Sequence, residues 1–399
     1  MNNENKSGLT LFTVMIMLAF LSIVGVYAYN AMRTDIYISN NYREGVEAFC
    51  QADAGIFYVR GLIEQQLKED TLIFVDGDNS VFYEPPEGFT FLPITNIHKI
   101  SEGIYCYECT GKKNNSSATV KVVVARKPLL MAGLLGDLRL NIQPLVNIYS
   151  YDSISTFNPI PSDSSSEATI GSNFLIEISP GVFIDGEIEI GQSPDGIPAV
   201  IVGDLAAPIV DFGRFEEDPL GAIGGEIESQ FIEYMQPVNN NNLLVDPPQA
   251  VVGTELFMKK NTATQFVTLE AGNYYLTDIQ IGPDCVLTID DSNGPVNIYL
   301  DGEMYAGPGS DINSPSPLSF SIFSRAEDPI LVQPNGSFDG FIYAPFSEVT
   351  MKPGNDGHGV VWGDKVYLYP QGDWYIDINL LKRFLSKELY FMSWKEIRN

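Results

Sequence analysis

Four cysteines, two histidines and a few clustered carboxylates are the side chains best suited here to bind metal, form covalent bonds or move protons. The cysteines are Cys50, Cys106, Cys109 and Cys285. In an oxidising compartment four thiols allow three pairings. Cys106 and Cys109 are an odd number of residues apart, so a regular strand sends them to opposite faces, and a bond between them needs a bulge or turn. Zinc on Cys106, Cys109 and His98 would lack a fourth ligand. The expected states are unpaired, partly buried thiols or one structural disulfide. Asp290-Asp291-Ser292-Asn293 and Asn355-Asp356 offer oxygen ligands, which makes Asp290, Asp291 and Asn293 calcium candidates. Neither run has the closing Glu of a helix–loop–helix calcium loop, and solvated turns are the default. No other metal or cofactor is expected.

Glycoside hydrolysis needs two carboxylates about 5–9.5 Å apart. Adjacent Asp290 and Asp291 would point to opposite sides of a strand and form no such pair. The Gly-x-Ser-x-Gly, His-Glu-x-x-His and phosphate-loop patterns are absent. With only His98 and His358, histidine-centred catalysis has little to build on. The expectation is a protein that is not an enzyme.

The elements that must position these residues follow from composition and patterning. The chain has 399 residues, 45% hydrophobic and 19% charged, enough apolar material for a substantial core. Lys+Arg number 23 against 51 Asp+Glu, a formal net charge of -28, so nucleic-acid binding is close to excluded. The 35 glycines, 25 prolines, 20 tyrosines and 23 phenylalanines point to strands separated by turns.

Leu9–Ala31 contains no charged side chain and is long enough to span a bilayer core, which takes about 20 helical residues. A secretory signal cleaved after Val26-Tyr27-Ala28 is the alternative. Its usual basic n-region is missing, because Glu4 offsets Lys6, and its apolar stretch is normally shorter. The pattern after the apolar run favours a continuing helix: Tyr42, Val46, Phe49, Ile56, Ile63 and Leu67 fall on one face, with charged residues interleaved. One helix from Leu9 to about Lys68 would be about 90 Å long. Residues 9–31 would sit in lipid and 32–68 would be amphipathic.

The short polar leader ending in Gly8, the uncharged helix that follows it and the run Ala48-Phe49-Cys50-Gln51-Ala52-Asp53-Ala54-Gly55 together resemble the N-terminal region of PilX-type minor pilins of type IV pili. The resemblance implies that 1–8 is a prepilin leader cut by a prepilin peptidase between Gly8 and Leu9, with Leu9 then open to N-methylation. It also implies that Thr13, Ala48, Phe49, Ala52, Asp53 and Gly55 pack against other pilins in the filament. Major pilins carry Glu at the fifth mature position, where this chain has Thr13. A carboxylate buried in lipid is costly unless paired, so its absence fits a minor or tip-proximal subunit.

Beyond the helix, residues 69–135 contain two β-branched or aromatic runs, 103–110 and 118–125, around a polar loop at 111–117, which reads as a hairpin packed on the helix. Residues 136–399 form the head, with an insertion at about 206–248 and a short helix near Glu226–Tyr234. Short glycine-punctuated strands recur there at about 17–25 residues, which suggests a parallel β-helix; a β-sandwich is the alternative. The fold class is α+β. The runs at 269–275, 296–302, 340–345, 359–366 and 393–396 resemble a β-rich domain often found behind PilX-type helices. Most of Trp362, Tyr367, Tyr369, Trp374 and Tyr375 are expected to be strand residues packing a core or edge; a few, set on a solvent face, are candidates to stack on sugars or anchor a partner. The tail from Leu380 is amphipathic and suited to capping the last coil.

The resemblance thus implies a non-enzymatic subunit, waiting in the inner membrane and then displayed on an extracellular pilus, near its tip, for assembly or adhesion. Its partners would be other pilins, the peptidase, and a tip adhesin or a host or surface glycan. A β-helix enzyme acting on polysaccharide and a type II secretion pseudopilin remain alternatives.

Overall fold

The computed structural model describes residues 4–68, 78–79, 85–86, 89–93, 97–101, 103–130, 132–153, 166–203, 207–211, 214–222, 225–334, 338–352, 356–369 and 372–397. The chain is α+β, a long N-terminal helix followed by a large β-rich part. It divides into two compact units, Met1–Lys127 with Ser386–Asn399, and Pro128–Leu385.

The first unit is the helix Glu4–Lys68 and a sheet whose first four strands pair antiparallel. The sheet runs, in spatial order, Asp78–Asn79, Ile97–Ser101, Ile104–Lys113, Ser116–Pro128 and Leu385–Ile397. The hairpin turn is tighter than the sequence suggests. It lies at 114–115, where Asn114 takes φ 49, a left-handed conformation that Asn tolerates. Gly111 therefore sits in a strand and not in the turn. The tail also differs from expectation. Only Ile378–Arg383 is helical, and Leu385–Ile397 is a strand beside Ser116–Pro128, with Leu389 buried in the first unit's core. The head is thus an insertion before the last strand, not the 136–399 C-terminal domain expected. Its entrance and exit are adjacent, since the Leu129 N–H donates to Phe384 O at 2.9 Å.

In the second unit the long ladders are parallel. One inward column runs Leu256, Ile279, Met304, Ile330, Val349, Val366, Leu140, Ile176, Ile201. Another runs Tyr274, Ile298, Ile322, Ile342, Val361, Leu134, Ile170, Ile188, Ile209. A third, shorter ladder stacks Phe338, Gly357, Trp374, Ile148 and Ile184. Parallel pairing requires crossovers, which the tight turns of a sandwich hairpin cannot supply.

The order of rungs is not the order of the chain. The stack climbs from 251 to 377 and then continues with 134–211, because Val361 and Val366 pair with Leu134 and Leu140. Residues after 211 must then return to the other end, and this is the work of the long excursion. Phe215 exchanges hydrogen bonds with the Asn173 amide at 2.9 and 3.0 Å. The Leu220 N–H donates to Tyr343 Oη at 3.0 Å. Helix Glu226–Tyr234 lays Phe231 against Tyr299, whose hydroxyl donates to Gln230 Oε1 at 2.7 Å. Asn241 and Asn242 then bond the backbone of Asn273 and Tyr275. The strap visits the rungs in descending order, and its Phe215, Leu220, Ile227 and Phe231 belong to the main core.

The two isoleucines at the top of the second column differ only in cover: Ile188 is 0% exposed and Ile209 is 43% exposed. Ile188→Ala should cost about 2–4 kcal/mol, while Ile209→Ala should cost well under about 1 kcal/mol. Chemical denaturation of the two variants measures the difference.

Candidate functional site

The helix has two stretches in different surroundings. Residues 12–43 are all exposed. Phe12, Leu21, Ile23, Tyr27 and Tyr42 are 63%, 62%, 68%, 77% and 75% exposed. By length and composition the helix can cross a membrane. No soluble monomer leaves so continuous an apolar cylinder in water, so this surface is built to be covered. Thr13 lies on it, exposed. Gly8 and Leu9 lie inside the helix, whose first residue is Glu4.

From Ala48 onward one face is buried: Ala48, Ala52, Ile56, Val59, Ile63 and Leu67, at helical spacing. Ile56, Ile63 and Leu67 are on the face the spacing predicts, but at its N-terminal end Tyr42 and Val46 are exposed and Ala48 and Ala52 are buried instead. The reason is close approach. A Cβ at Gly111 would lie 2.0 Å from Ala48 O, and one at Gly55 would lie 2.3 Å from Cys109 Sγ. Only small residues allow helix and sheet this near. Across the gap stand Tyr105, Tyr107 and Cys109 of one strand and Val120, Val122 and Val124 of the next. The Tyr107 hydroxyl donates to Ile56 O at 3.0 Å. Phe49 packs edge-on to Trp394 at 5.3 Å, and Trp394 Nε1 donates to Asp53 Oδ1 at 3.3 Å.

Ala48, Phe49, Ala52, Asp53 and Gly55, expected to face neighbouring pilins, therefore contact their own sheet. A small-residue run is suited equally to intrachain and interchain packing, so sequence alone did not separate them. Gly55→Ala should destabilise the first unit by about 1–3 kcal/mol through overpacking. Gly61, also helical but with nothing within 4 Å of a new Cβ, should gain about 0.5–1 kcal/mol on substitution by Ala. Hydrogen exchange of the Tyr105–Cys109 amides reads both.

None of the four cysteines is bonded to another. Cys109 faces the helix, and burial pushes its thiol up to about 12. Cys106 is absent from that cluster, in keeping with its opposite face. Cys285 is buried in the head, where burial raises its pKa, and Cys50 is exposed on the helix.

The calcium candidates form a turn. Asp290 Oδ1 accepts the Ser292 N–H at 3.0 Å, the Ser319 hydroxyl donates to Asp291, and the Gly294 N–H donates to Asp291 O at 2.9 Å, with Asn293 between. Asn355 lies outside the described residues. Among the described residues, no three of His, Cys, Asp or Glu are grouped to hold a metal ion.

Of the five late aromatics, Trp362, Trp374 and Tyr375 are core residues, 1–2% exposed. Tyr367 and Tyr369 lie under Arg139 and Lys352, at 5.6 and 4.3 Å. An open cleft of about 650 Å³ is lined by Glu217, Glu327, Glu348, Asp364 and Lys365 with Pro329, Pro345 and Phe346. Burial raises the Asp364 carboxyl, Glu217 and Glu348 add to that, and Lys365 opposes it. The carboxylates come from distant turns, so local sequence carries no signal for their gathering.

Glu189 is perturbed more. Burial, then Glu187, push its carboxyl up to about 7, and its Oε2 has no hydrogen-bond partner. A raised carboxyl stabilises the fold while protonated. That contribution is full below the unfolded value near 4.5 and is lost as pH rises through about 7. Thermal melts of the chain in detergent should fall from pH 5 to pH 8, and Glu189→Gln should shrink the fall.

A family model described as a domain of unknown function (DUF7305) matches residues 288–380, within the head. None of the curated proteins matches the chain. Among solved structures, that of the competence-associated pilin ComZ from Thermus thermophilus is similar at 13% identity and a TM-score of 0.29, covering 89% of this chain and 97% of that one.

Proposed function

We propose that this chain is a type IV pilin-like protein of the minor, PilX-like kind: a non-enzymatic filament subunit whose large acidic head is a parallel β-helix. One observation carries the reading. A helix apolar on every side over residues 12–32 continues without a break into a stretch whose face is buried on its own antiparallel sheet. Such a helix is stable in lipid and equally stable among other apolar helices, so it can leave the inner membrane for a filament with little change of surroundings.

The leader junction Gly8–Leu9 supports processing by a prepilin peptidase, with N-methylation of Leu9 to follow. Before assembly the subunit spans the inner membrane once, with the head outside the cytoplasm; afterwards it joins other pilins in an extracellular fibre. Thr13 in place of an acid supports a position at or near the tip, where the head serves assembly or contact with a surface glycan or tip adhesin. The motif Ala48–Gly55 acts within the subunit, leaving the filament contacts to the exposed helix before it.

Gly8→Glu should leave the protein unprocessed in a strain with active peptidase, visible as an unshifted band. N-terminal sequencing of the wild-type mature protein should begin at Leu9. A mature chain starting near Tyr29 would remove the exposed helix and the proposal with it.

A further inference from the structure

The two ends of the coil stack are finished differently. At the first end every outer strand is covered. Val251–Val252 pairs antiparallel with Glu255–Met258, Asp246 exchanges two backbone bonds with Thr268, and Asn241 and Asn242 bond the strand Gly272–Leu276. The core beneath is closed: Leu256, Leu269 and Tyr274 are 0% exposed, with Val245 and Ala250 seated over them. Chain in extended form, carrying apolar residues, is what closes a coil.

The other end has no such cover among the described residues. Its last strands are Val200–Gly203 and Ile209–Asp211, each paired on one side only. The Val200 N–H donates inward to Phe174 O at 2.8 Å, and the alternation of a parallel ladder aims the Ile201 N–H outward. The core itself reaches the surface: Ile209 continues the column of Leu134, Ile170 and Ile188, all 0% exposed, yet is 43% exposed. Val200 and Val202, which alternate with inward Ile201 on the other last strand, are 56% and 52% exposed. An open edge with bare β-branched residues is a template for one more strand.

Charge selects the occupant. Between Arg139 and Arg214 the sequence has ten carboxylates and no Lys or Arg. Arg139 is already paired with Glu177. Glu187 is exposed, and Glu189 holds a buried oxygen without a partner. A second copy would bring the same acidic end and be repelled.

We propose that this open end binds an extended segment of another protein, apolar residues alternating with Lys or Arg, which adds as a strand along Val200–Gly203 and Ile209–Asp211 and covers Ile209. This inference does not depend on the filament reading.

The test uses the full chain in detergent micelles and three synthetic peptides of about eight residues: alternating Val and Lys, alternating Val and Glu, and the Val–Lys peptide with a central Pro. The Val–Lys peptide should bind, slow exchange of the Ile201 and Gly203 amides, and weaken with added salt; the other two should bind roughly tenfold or more weakly. Ile209→Lys should lower Val–Lys affinity by a similar factor with an unchanged melting temperature, because the side chain is already exposed. If that variant unfolds, Val202→Lys takes its place. Absence of amide protection, equal binding of the Val–Glu peptide, or a concentration-dependent dimer protecting the same amides would each overturn the proposal, the last in favour of a second copy.

Discussion

The head depends on keeping inward side chains in vertical register. In a parallel ladder each aliphatic residue must meet another directly above and below, and the two long columns do this with Ile, Val, Leu, Met and one Tyr. Each fully buried member is worth roughly 1.5–3 kcal/mol relative to exposure. Register also fixes what faces outward: a slip of one residue would turn the column to solvent and bring Glu187 and Glu189 inside. The constraint is spatial, so the chain is free to supply rungs out of order. It does so where 357–368 is followed in space by 134–142. The strap from Phe215 to Asn242 is the consequence, and its Asn and Tyr hydrogen bonds seat it without adding a strand to the side of the stack.

In the first unit the corresponding constraint is distance. Ala48, Ala52, Gly55 and Gly111 remove the side chains that would hold helix and sheet apart, and Tyr107 reaches across to a helix carbonyl. Before Glu44 the helix residues 12–43 are exposed. One continuous element thus has a part committed to its own fold and a part left for other apolar surroundings, and the change comes within about two turns of Tyr42.

Much of this was readable from sequence, and the failures have physical causes. The uncharged run and the later helical spacing gave the helix to its last residue, Lys68, and Glu226–Tyr234 was placed correctly. Ile56, Ile63 and Leu67 of the helix face follow the spacing, while its N-terminal end departs from it because large residues such as Tyr42 and Val46 outweigh alanines on any hydrophobic count, whereas close packing selects the alanines. The turn lies within the expected loop at 111–117 but is shorter, because Gly111, which resembles a turn residue, is glycine for the sake of the helix above it. Trp362, Trp374 and Tyr375 pack inside as strand aromatics usually do, and ring content alone does not tell which of the five face outward. The return of Leu385–Ile397 to the first sheet, the non-sequential rungs and the gathering of Glu217, Glu327, Glu348 and Asp364 are long-range pairings, and local pattern holds no record of them.

The chain passes between its two units twice, at Lys127–Pro128 and at Leu385–Ser386, by way of neighbouring strands of one sheet. Tension applied to the head is therefore carried by one covalent line, through Lys127–Pro128, and by the strand pairing that holds Leu385–Ile397 in the first sheet. A protease that cuts at Leu385–Ser386 leaves the head covalently tied, whereas one that cuts at Lys127–Pro128 leaves it held by a single paired strand.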